Sequence, residues 1–308
     1  MILVCGEALF DLFAEEDGAR LTLDARIGGS PFNVAVGLAR LEAPAAYFGG
    51  LSRDFLGRRL KAALEREGVD TSLVVDSDAP TTLSLVGLDA AGSPAYSFCG
   101  EGAADRMISP ADIPDLPEAI DTIHLGSFSA LVPTIGDTLL SLAAREHGRR
   151  MIAYDPNIRP TVVADLDAWR NRISVLLPHV DLLKVSAEDV ETLYPGADPL
   201  ALARDWLDHG PALVVITRGG EGALGVTASA VASAEGQRVT VADTVGAGDT
   251  YQAALLARLG ETVGRTRAAL KGLDEGALAD LLAYAGRAAA ITCTRRGADL
   301  PRRADLAA

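Results

Sequence analysis

Lysine is scarce in this 308-residue chain. Only Lys61, Lys184 and Lys271 occur among its 28 basic side chains, and the others are arginine. A P-loop requires a Gly-Lys pair followed by Ser or Thr, with the lysine reaching the phosphates of a nucleotide. Each of the three lysines follows a leucine instead. The chain therefore contains no P-loop, and any phosphate that it binds must be held in another way.

Positive charge is also in short supply overall. The 28 basic residues face 42 acidic ones, so the formal net charge is −14. Binding to nucleic acid requires a basic face that neutralises phosphates, and attachment to an anionic membrane requires a basic patch. We therefore expect no nucleic-acid partner and no membrane partner. Disorder is excluded as well, because 49% of the residues are hydrophobic.

Cysteine pairs and long apolar runs are missing. Three widely spaced cysteines give neither a disulfide framework nor a Cys-x-x-Cys metal pair. The N-terminal apolar stretch has no basic residue before it, and no run approaches the ~18 residues that span a bilayer. We therefore expect a soluble, cytoplasmic protein. The histidines lack ligand spacing and are expected at the surface or as helix caps; they are His124, His147, His179 and His209.

Short apolar runs alternate with longer segments of helical pattern. Runs that are apolar throughout predict strands buried on both faces, at 2–5, 45–48, 122–125, 150–154, 181–185 and 213–217. Helical patterns lie at 31–41, 54–67, 134–146, 166–177, 199–209, 246–259 and 275–292. This alternation predicts an α/β fold with a mainly parallel sheet flanked by helices.

Two segments break the alternation, at 9–27 and about 76–98. Each contains short alternating strands that favour antiparallel pairing over βα units. They are consistent with one small β-sheet outside the main domain. The alternative is that both are decorated surface loops.

A glycine pattern typical of dinucleotide-binding sites occurs once, as G-x-G-x-x-G at 220–225. That site requires a helix directly after the glycines, with its positive end against a pyrophosphate. Residues 226–231 predict a strand and turn instead. A nicotinamide-dependent oxidoreductase therefore has only these misplaced glycines in its favour.

The stretch from Asp243 to Asp249 opens a long helical pattern. Its glycines, Gly246 and Gly248, let the backbone approach a ligand, and the free N–H groups of a helix start form an anion hole. Asp249 has two interpretations. It is an N-terminal cap or dipole partner, or it is a general base for a hydroxyl beside a bound phosphate. Asp243 and Thr244 already offer caps, which leaves Asp249 available for the second role.

A second glycine-rich segment precedes the helix predicted at 31–41. The pair Gly28-Gly29, followed by Pro31, is a strong helix-start signal. Asn33 lies in the first turn, where its amide either bonds the local backbone or reaches a ligand beyond the helix end.

Together these segments resemble the two signatures of the ribokinase-like, or PfkB-type, sugar kinase family. The likeness covers nearly the whole chain, because further matching segments occur in order at 6–12, 50–54, 155–160, 217–222 and 295–298. The resemblance implies one kinase domain over 1–308 with a doubly wound α/β fold. It also implies that the segments at about 9–27 and 76–106 form a lid over the sugar.

The resemblance assigns roles to the sugar and phosphate residues. It implies that Asp249 is the catalytic base and that the backbone of Gly246, Ala247 and Gly248 stabilises the transferring phosphoryl group. It implies that sugar and phosphate contacts come from six further residues: Asp11, Gly28, Gly29, Asn33, Arg106 and Arg159.

The resemblance also implies ATP as phosphoryl donor, with Mg²⁺ and, in many members, an activating K⁺. The residues that match the nucleotide site are Thr217, Gly219, Gly222 and Ser186. A family Glu that organises Mg²⁺ through water aligns with Asp189, and Glu188 is adjacent; we rank Asp189 first. The K⁺ would lie among oxygens near Asp243 and the backbone of 293–298. Gly286 replaces an Asn that lies close to adenine in ribokinases.

The segments 28–33 and 101–106 are most similar to the fructokinase branch, which implies D-fructose phosphorylated on its 6-hydroxyl. The alternatives are a 2-keto-3-deoxygluconate kinase, another sugar or nucleoside kinase of this family, and a non-catalytic sugar or nucleotide sensor. A homodimer through the lids is a further hypothesis, because the small sheet carries apolar residues such as Leu83, Leu85 and Tyr96.

Overall fold

The computed structural model describes residues 1–17, 20–88 and 94–307. Its strands, in chain order, are β1 (Ile2–Cys5), β2 (Leu9–Asp17), β3 (Arg20–Gly28), β4 (Ala45–Phe48), β5 (Gly50–Ser52), β6 (Val75–Ser77), β7 (Leu83–Leu88), β8 (Pro94–Cys99), β9 (Thr122–Gly126), β10 (Met151–Asp155), β11 (Leu182–Ser186), β12 (Leu213–Thr217), β13 (Ala223–Val226) and β14 (Val231–Ala234).

The helices alternate with these strands through most of the chain. They are α1 (Ser30–Arg40), α2 (Phe55–Arg66), α3 (Ile135–Glu146), α4 (Leu166–Leu176), α5 (Ala187–Leu193), α6 (Pro199–Asp208), α7 (Ala247–Thr262), α8 (Arg267–Lys271) and α9 (Glu275–Cys293). Capping explains several of the starts. Asp54, for example, accepts the N–H of Gly57 and begins α2, and Asp274 accepts the N–H of Ala277 and begins α9.

An eight-stranded sheet forms the centre, in the order β14-β13-β12-β11-β10-β9-β1-β4. Pairing is parallel from β12 through to β4, and only β13 and β14 are antiparallel. All six predicted strands lie in its parallel part, each within one residue of the expected bounds. The prediction of a mainly parallel α/β sheet is confirmed.

Helices cover both faces of the sheet, and successive residues of each strand point to opposite sides. In β1, Ile2 and Val4 pack in one apolar cluster with α1, α7 and α9, while Leu3 and Cys5 pack in the other with α3, α4 and α6. This two-sided core explains why the strands are apolar throughout. The doubly wound arrangement is confirmed.

A separate four-stranded sheet has the order β3-β2-β7-β8. The hairpins β2–β3 and β7–β8 are antiparallel as expected, but β2 and β7 run parallel. The second segment also enters the sheet later than expected. Residues 75–77 form β6 instead, which pairs with β5 beside the main domain. The connections at 18–19 and 89–93 lie outside the described residues.

The carboxyl ends of the parallel strands meet at one edge of the main sheet, which is where open α/β sheets bind ligands. Helices α1 and α7 begin at this edge, close to the small sheet. A single residue, Gly29, joins the last residue of β3 to the first residue of α1. Within the described ranges, none of the helices combines the length and apolar character needed to cross a bilayer.

One histidine departs from the expectation. His124 lies on β9 with no exposed surface, where burial lowers its pKa to about 3. It faces the amide of Gln252 on α7 at 3.3 Å. The other three histidines are half-buried or exposed. The position on the strand explains the difference, because β9 is covered on both faces and all of its residues are buried.

Candidate active site

Asp249 lies in the first turn of α7, and two side chains from the start of α1 hold its carboxylate. The Oγ of Ser30 donates a hydrogen bond to Oδ1 at 2.6 Å, and Nδ2 of Asn33 donates to Oδ2 at 2.8 Å. All three residues are less than a tenth exposed. The two oxygens are therefore fixed in position by neutral donors, and the carboxylate retains the capacity to accept a proton.

The N-terminus of α7 presents backbone donors beside Asp249. Gly246 precedes the helix with φ of 78°, a left-handed conformation that favours glycine, and a side chain there would contact Ala298. Ala247 donates its N–H to the carbonyl of Thr244 at 3.2 Å. Among the described residues, no acceptor faces the N–H groups of Gly246, Gly248 and Asp249. Such free donors at a helix start suit an anion.

The surroundings of Asp249 shift the pKa of its carboxyl. Burial raises the pKa of its carboxyl, while the hydrogen bonds from Ser30 and Asn33 lower it. The charge of Asp155 raises it further and the charge of Lys184 lowers it. A raised pKa makes the carboxylate a better base at neutral pH, provided that it stays ionised. This arrangement differs from a helix cap, since no side-chain cap bond begins α7.

Asp11 lies on β2 of the small sheet. It pairs in register with Ser84 on β7 and Arg26 on β3. Burial raises the pKa of Asp11, whereas a hydrogen bond with Ser84 and the charge of Arg159 lower it. A Cβ atom on Gly28 would overlap its carboxylate. Gly28 therefore leaves the space in which Asp11 lies.

The residues around Gly29 tie the small sheet to the main domain. Gly29 has φ of 104°, and a Cβ atom there would lie 2.7 Å from the carbonyl oxygen of Glu7. Glu7 is itself buried and accepts a hydrogen bond from Ser129 at 2.5 Å. Burial raises the pKa of Glu7 to about 7. Only glycine fits the junction between β3 and α1.

Arg106 follows the small sheet and lies at its border with the main domain. Its guanidinium stacks over the ring of Phe128 at 5.3 Å and packs against Gly100. Its Nε is buried and has no partner among the described residues. The neighbouring Asp105 accepts a hydrogen bond from Thr82, and burial raises its pKa to about 6. A ligand oxygen would satisfy the unpaired donor of Arg106.

Thr217 ends β12, and a tight hairpin follows it to β13. Gly219 and Gly222 have φ of 53° and 93° within this turn, and a Cβ on Gly222 would overlap the carbonyl of Ala234. No helix follows the glycines. Strand β13 begins at Ala223 instead, as the sequence predicted, so the glycines lack the helix that a dinucleotide site requires. Gly219 has open space beside its Cα, as Gly286 does on α9.

Asp189 lies close to the same edge, in the first turn of α5. Ser186 caps this helix by accepting the N–H of Asp189 at 3.0 Å. The Oδ1 of Asp189 accepts the N–H of Ile158 at 3.1 Å. Burial raises the pKa of Asp189, and the charge of Arg159 opposes this rise. Asp189 is 8% exposed, whereas Glu188 points to solvent. Of the two acids predicted for Mg²⁺, only Asp189 faces the site.

The fit of Mg²⁺ to this site rests on few carboxylates. Across residues 1–17, 20–88 and 94–307, no three His, Cys, Asp or Glu side chains lie close enough to hold a metal ion by themselves. One atom is nevertheless available, because Oδ1 of Asp155 is buried without a partner. Mg²⁺ in nucleotide sites is commonly held by one or two carboxylates, waters and phosphate oxygens. The residues present fit that mode.

Asp243 bridges two loops behind the N-terminus of α7. Its carboxylate accepts the N–H of Val245 at 3.1 Å and that of Gly297 at 2.8 Å. The backbone N–H of Ala242 donates to the carbonyl of Cys293 at 2.8 Å. Asp243 is therefore not the cap of α7, although it draws together the two segments predicted to surround K⁺. Burial raises its pKa, but these backbone hydrogen bonds produce a net lowering.

A family model for the pfkB family of carbohydrate kinases matches residues 1–305. The chain belongs to this family. Within it, the chain is 40% identical over 283 residues to a fructokinase from Rhizobium leguminosarum bv. trifolii, covering 90% of this chain and 85% of the relative. The predicted resemblance to PfkB-type kinases is confirmed.

Solved structures agree with the family assignment. A fructokinase from Xylella fastidiosa with bound ATP superposes with a TM-score of 0.90 at 26% identity, covering 99% of this chain and 96% of that chain. A fructokinase from Vibrio cholerae O395, with fructose, ADP and calcium ion, superposes with a TM-score of 0.81 at 26% identity, covering 99% and 97%. A double mutant of the latter holds fructose, ADP and potassium ion, with a TM-score of 0.84 at 25% identity, covering 99% and 96%.

Three residues that influence the Asp249 carboxyl were missed from the sequence. Ser30 lies inside the recognised Gly28–Asn33 segment, but nothing there indicated a bond to Asp249. Asp155 ends β10, and Lys184 lies near the end of the neighbouring strand β11. The two side chains form a buried ion pair at 2.7 Å. The signal that could have found the pair is the presence of charged residues within two otherwise apolar strand runs.

Proposed function

We propose that this protein is an ATP-dependent fructokinase that phosphorylates the 6-hydroxyl of D-fructose. The observation that carries the proposal is the buried carboxylate of Asp249, fixed by Ser30 and Asn33 beside free backbone N–H groups at the start of α7. A base and an anion hole in contact form the minimum apparatus for transferring a phosphoryl group to a hydroxyl. The fructokinase relatives support fructose as the acceptor.

The chemistry follows from this arrangement. The oxygen of the 6-hydroxyl forms a bond to the γ-phosphorus of ATP, while the bond from that phosphorus to the β,γ-bridging oxygen breaks and its electron pair leaves with ADP. Asp249 accepts the hydroxyl proton. The N–H groups of Gly246, Ala247 and Gly248 stabilise the charge on the transferring group, with Ala247 the least available because it bonds Thr244.

Sugar and nucleotide are proposed to lie on opposite sides of Asp249. Asp11, Gly28, Gly29, Asn33 and Arg106 line the side of the small sheet and hold the sugar. Asn33 donates one amide N–H to Asp249, so its amide oxygen and its second N–H are left for a sugar hydroxyl.

The charge of Arg159 lowers the pKa of both Asp11 and Asp189, so the guanidinium lies near both carboxylates. This position suits a contact to the phosphoryl group. Thr217, Gly219, Gly222 and Ser186 surround the nucleotide, and the open space at Gly286 accommodates a base without a side-chain contact.

Metal ions complete the proposed site. Asp189 and the free oxygen of Asp155 would hold Mg²⁺ on the ATP phosphates, where the ion would neutralise phosphate charge. We favour Asp189 over Glu188 because Glu188 is exposed. The K⁺ would lie beside Asp243 and the carbonyls of 293–298, since hard oxygen ligands suit it. A fructokinase structure from Vibrio cholerae O395 that holds a potassium ion supports K⁺ as the ion proposed.

The domain organisation is proposed to be one kinase domain over 1–308 with the small sheet as a lid. Its outer strand β3 exposes Leu21 and Leu23 at 59% and 41%, and Leu83 and Leu85 on β7 are half-buried; the side chain of Tyr96 is outside what the structure describes. An apolar sheet of this size suits a homodimer through the lids. Light scattering tests this, and a monomer mass would count against it.

ADP production against fructose, 2-keto-3-deoxygluconate, ribose and adenosine tests the proposed function. Turnover with fructose is expected, and turnover with the keto acid alone would overturn the choice of sugar. A chain that binds sugar and ATP but turns over none of the four would favour a sensor. Asp249→Asn should keep sugar and ATP binding while losing most turnover, because an amide accepts no proton from the hydroxyl. Near-native activity in that variant would remove Asp249 from the mechanism.

A further inference from the structure

A buried ion pair lies beneath the proposed anion hole. Lys184 on β11 and Asp155 at the end of β10 approach to 2.7 Å, with exposed fractions of 4% and 1%. Lys184 is the one lysine of the three within the core, since Lys61 and Lys271 lie on helices at the surface. A buried ion pair rarely stabilises a fold more than apolar residues of the same volume do, because both charges lose their hydration. The pair therefore calls for a reason other than stability.

The ammonium group lies against the start of α7. Its Nζ is 3.4 Å from the point that a Cβ atom on Gly248 would occupy. The same charge lowers the pKa of Asp249 and the pKa of Asp189, so it acts on the proposed base and on the proposed Mg²⁺ ligand. Lys184 thus lies at the centre of the groups that surround the phosphoryl group in the proposed function.

Both partners have bonding capacity left over. An ammonium carries three N–H donors, and in the described part of the chain the only acceptor for Lys184 is Oδ2 of Asp155. On the other side of the pair, Oδ1 of Asp155 is buried without a partner. A buried polar group left without a hydrogen-bond partner destabilises the fold. Donors left free beside an anion hole point to an anionic ligand.

We propose that Lys184 is a catalytic residue that donates a hydrogen bond to the phosphoryl group in transit, and that Asp155 is the residue that positions it. The inference deepens the proposed function and rests on it. The lysine adds a full positive charge where the backbone of α7 supplies only partial charges. This also explains how a chain with three lysines and no P-loop places one ammonium at its phosphate site.

The experiment compares three variants of the full chain: Lys184→Met, Asp155→Asn, and the two combined. The single Lys184→Met change leaves a buried carboxylate unpaired and reduces folding stability, so the double variant is the decisive one. It removes both charges and keeps similar volumes. For each protein, kcat is measured from ADP release, the Kd for fructose is measured by calorimetry, and thermal unfolding gives a control for folding.

If Lys184 contacts the phosphoryl group, the double variant folds and binds fructose as the native chain does but has a kcat about 10²–10³ below that of Asp155→Asn, the cost typical of one lost transition-state donor. The two variants share the loss of the Asp155 oxygen proposed for Mg²⁺, so their difference reports the lysine alone. Asp155→Asn alone keeps the ammonium and loses less than the double variant. A double variant within about tenfold of the native kcat would overturn the inference, because the lysine would then serve only to neutralise Asp155. An Asp155→Asn variant as slow as the double variant would also overturn it.

A second readout separates a catalytic lysine from a structural one. The acid limb of kcat/KM against pH should lie at higher pH in the double variant than in Asp155→Asn, because only Asp155→Asn keeps the cation that lowers the pKa of Asp249. An acid limb at the same pH in both variants would contradict the proximity on which the inference depends. A native chain that turns over none of the sugars would overturn the proposed function and the inference together, whereas an active native chain with an equally active double variant would overturn the inference alone.

Discussion

Replacing Ser30 with alanine tests how the base is tuned. The Oγ of Ser30 donates to Oδ1 of Asp249 at 2.6 Å and lowers the pKa of that carboxyl, against the burial that raises it. In Ser30→Ala, one oxygen of Asp249 loses its charge-stabilising partner while the bond from Asn33 remains. The pKa of Asp249 should therefore rise, and the base should be protonated over a wider range of acid pH.

The size of the shift follows from the hydrogen bond. A hydrogen bond to a charged group contributes about 1.5–3 kcal/mol, and one pKa unit corresponds to about 1.4 kcal/mol. The acid limb of kcat/KM should therefore move upward by about 1–2 pH units. At pH values well above the new limb, kcat/KM should return towards the native value, because the base is ionised again and its position changes little.

The measurement is kcat/KM for fructose from about pH 4.5 to 9, since this ratio reports ionisations of the free enzyme. Ser129→Ala is the matched control: Ser129 also donates to a buried carboxylate, that of Glu7, at 2.5 Å. It should leave the acid limb in place. If Ser30→Ala leaves the limb unmoved, or lowers kcat/KM equally at every pH, then either Asp249 is not the base or Ser30 does not tune it.

Three further results are expected. Glu7→Gln should flatten the pH dependence of stability. Burial raises the pKa of Glu7 from 4.5 to about 7, so the native state binds this proton more tightly than the unfolded state does. In the native chain the free energy of unfolding should therefore fall by on the order of 3 kcal/mol as pH rises through that window, which urea unfolding at several pH values measures. Gly28→Ala should displace the Asp11 carboxylate and raise the KM for fructose by about 10–100-fold with a smaller effect on kcat, and an unchanged KM would remove Asp11 from the sugar site. Leu23→Asp should turn a lid-mediated dimer into a monomer by light scattering, without loss of fold by circular dichroism.

The main sheet was predictable because a strand buried on both faces is a continuous apolar run in the sequence. The strands β1, β4 and β12 match the predicted ranges residue for residue, since each is a continuous apolar run. Elements without a clear apolar pattern were missed. Helix α8, for example, has only five residues, too few to show a helical apolar period. The parallel pairing of β2 with β7 joins segments about 70 residues apart, which no local pattern encodes.

The site was predictable where a motif supplied the geometry and not where adjacent strands created it. The Gly246–Asp249 turn is contiguous in sequence, so its backbone donors and its acid could be placed together. Lys184 and Asp155 become partners only because β10 and β11 are neighbours in the sheet. Their separation in sequence gives no sign of this, and the scarcity of lysine pointed only to what the chain does not contain.

The junction at Gly29 limits how this enzyme can be re-engineered. Strand β3 of the small sheet ends at Gly28 and helix α1 begins at Ser30, so one residue connects the strand beside Asp11 to the two side chains that hold Asp249. No loop lies between them that could accommodate a change in the length of β3. A chimera that imports the sugar-facing sheet of a relative must therefore import the first turn of α1 with it. In the proposed site, acceptor choice and the geometry of the base are therefore inherited together.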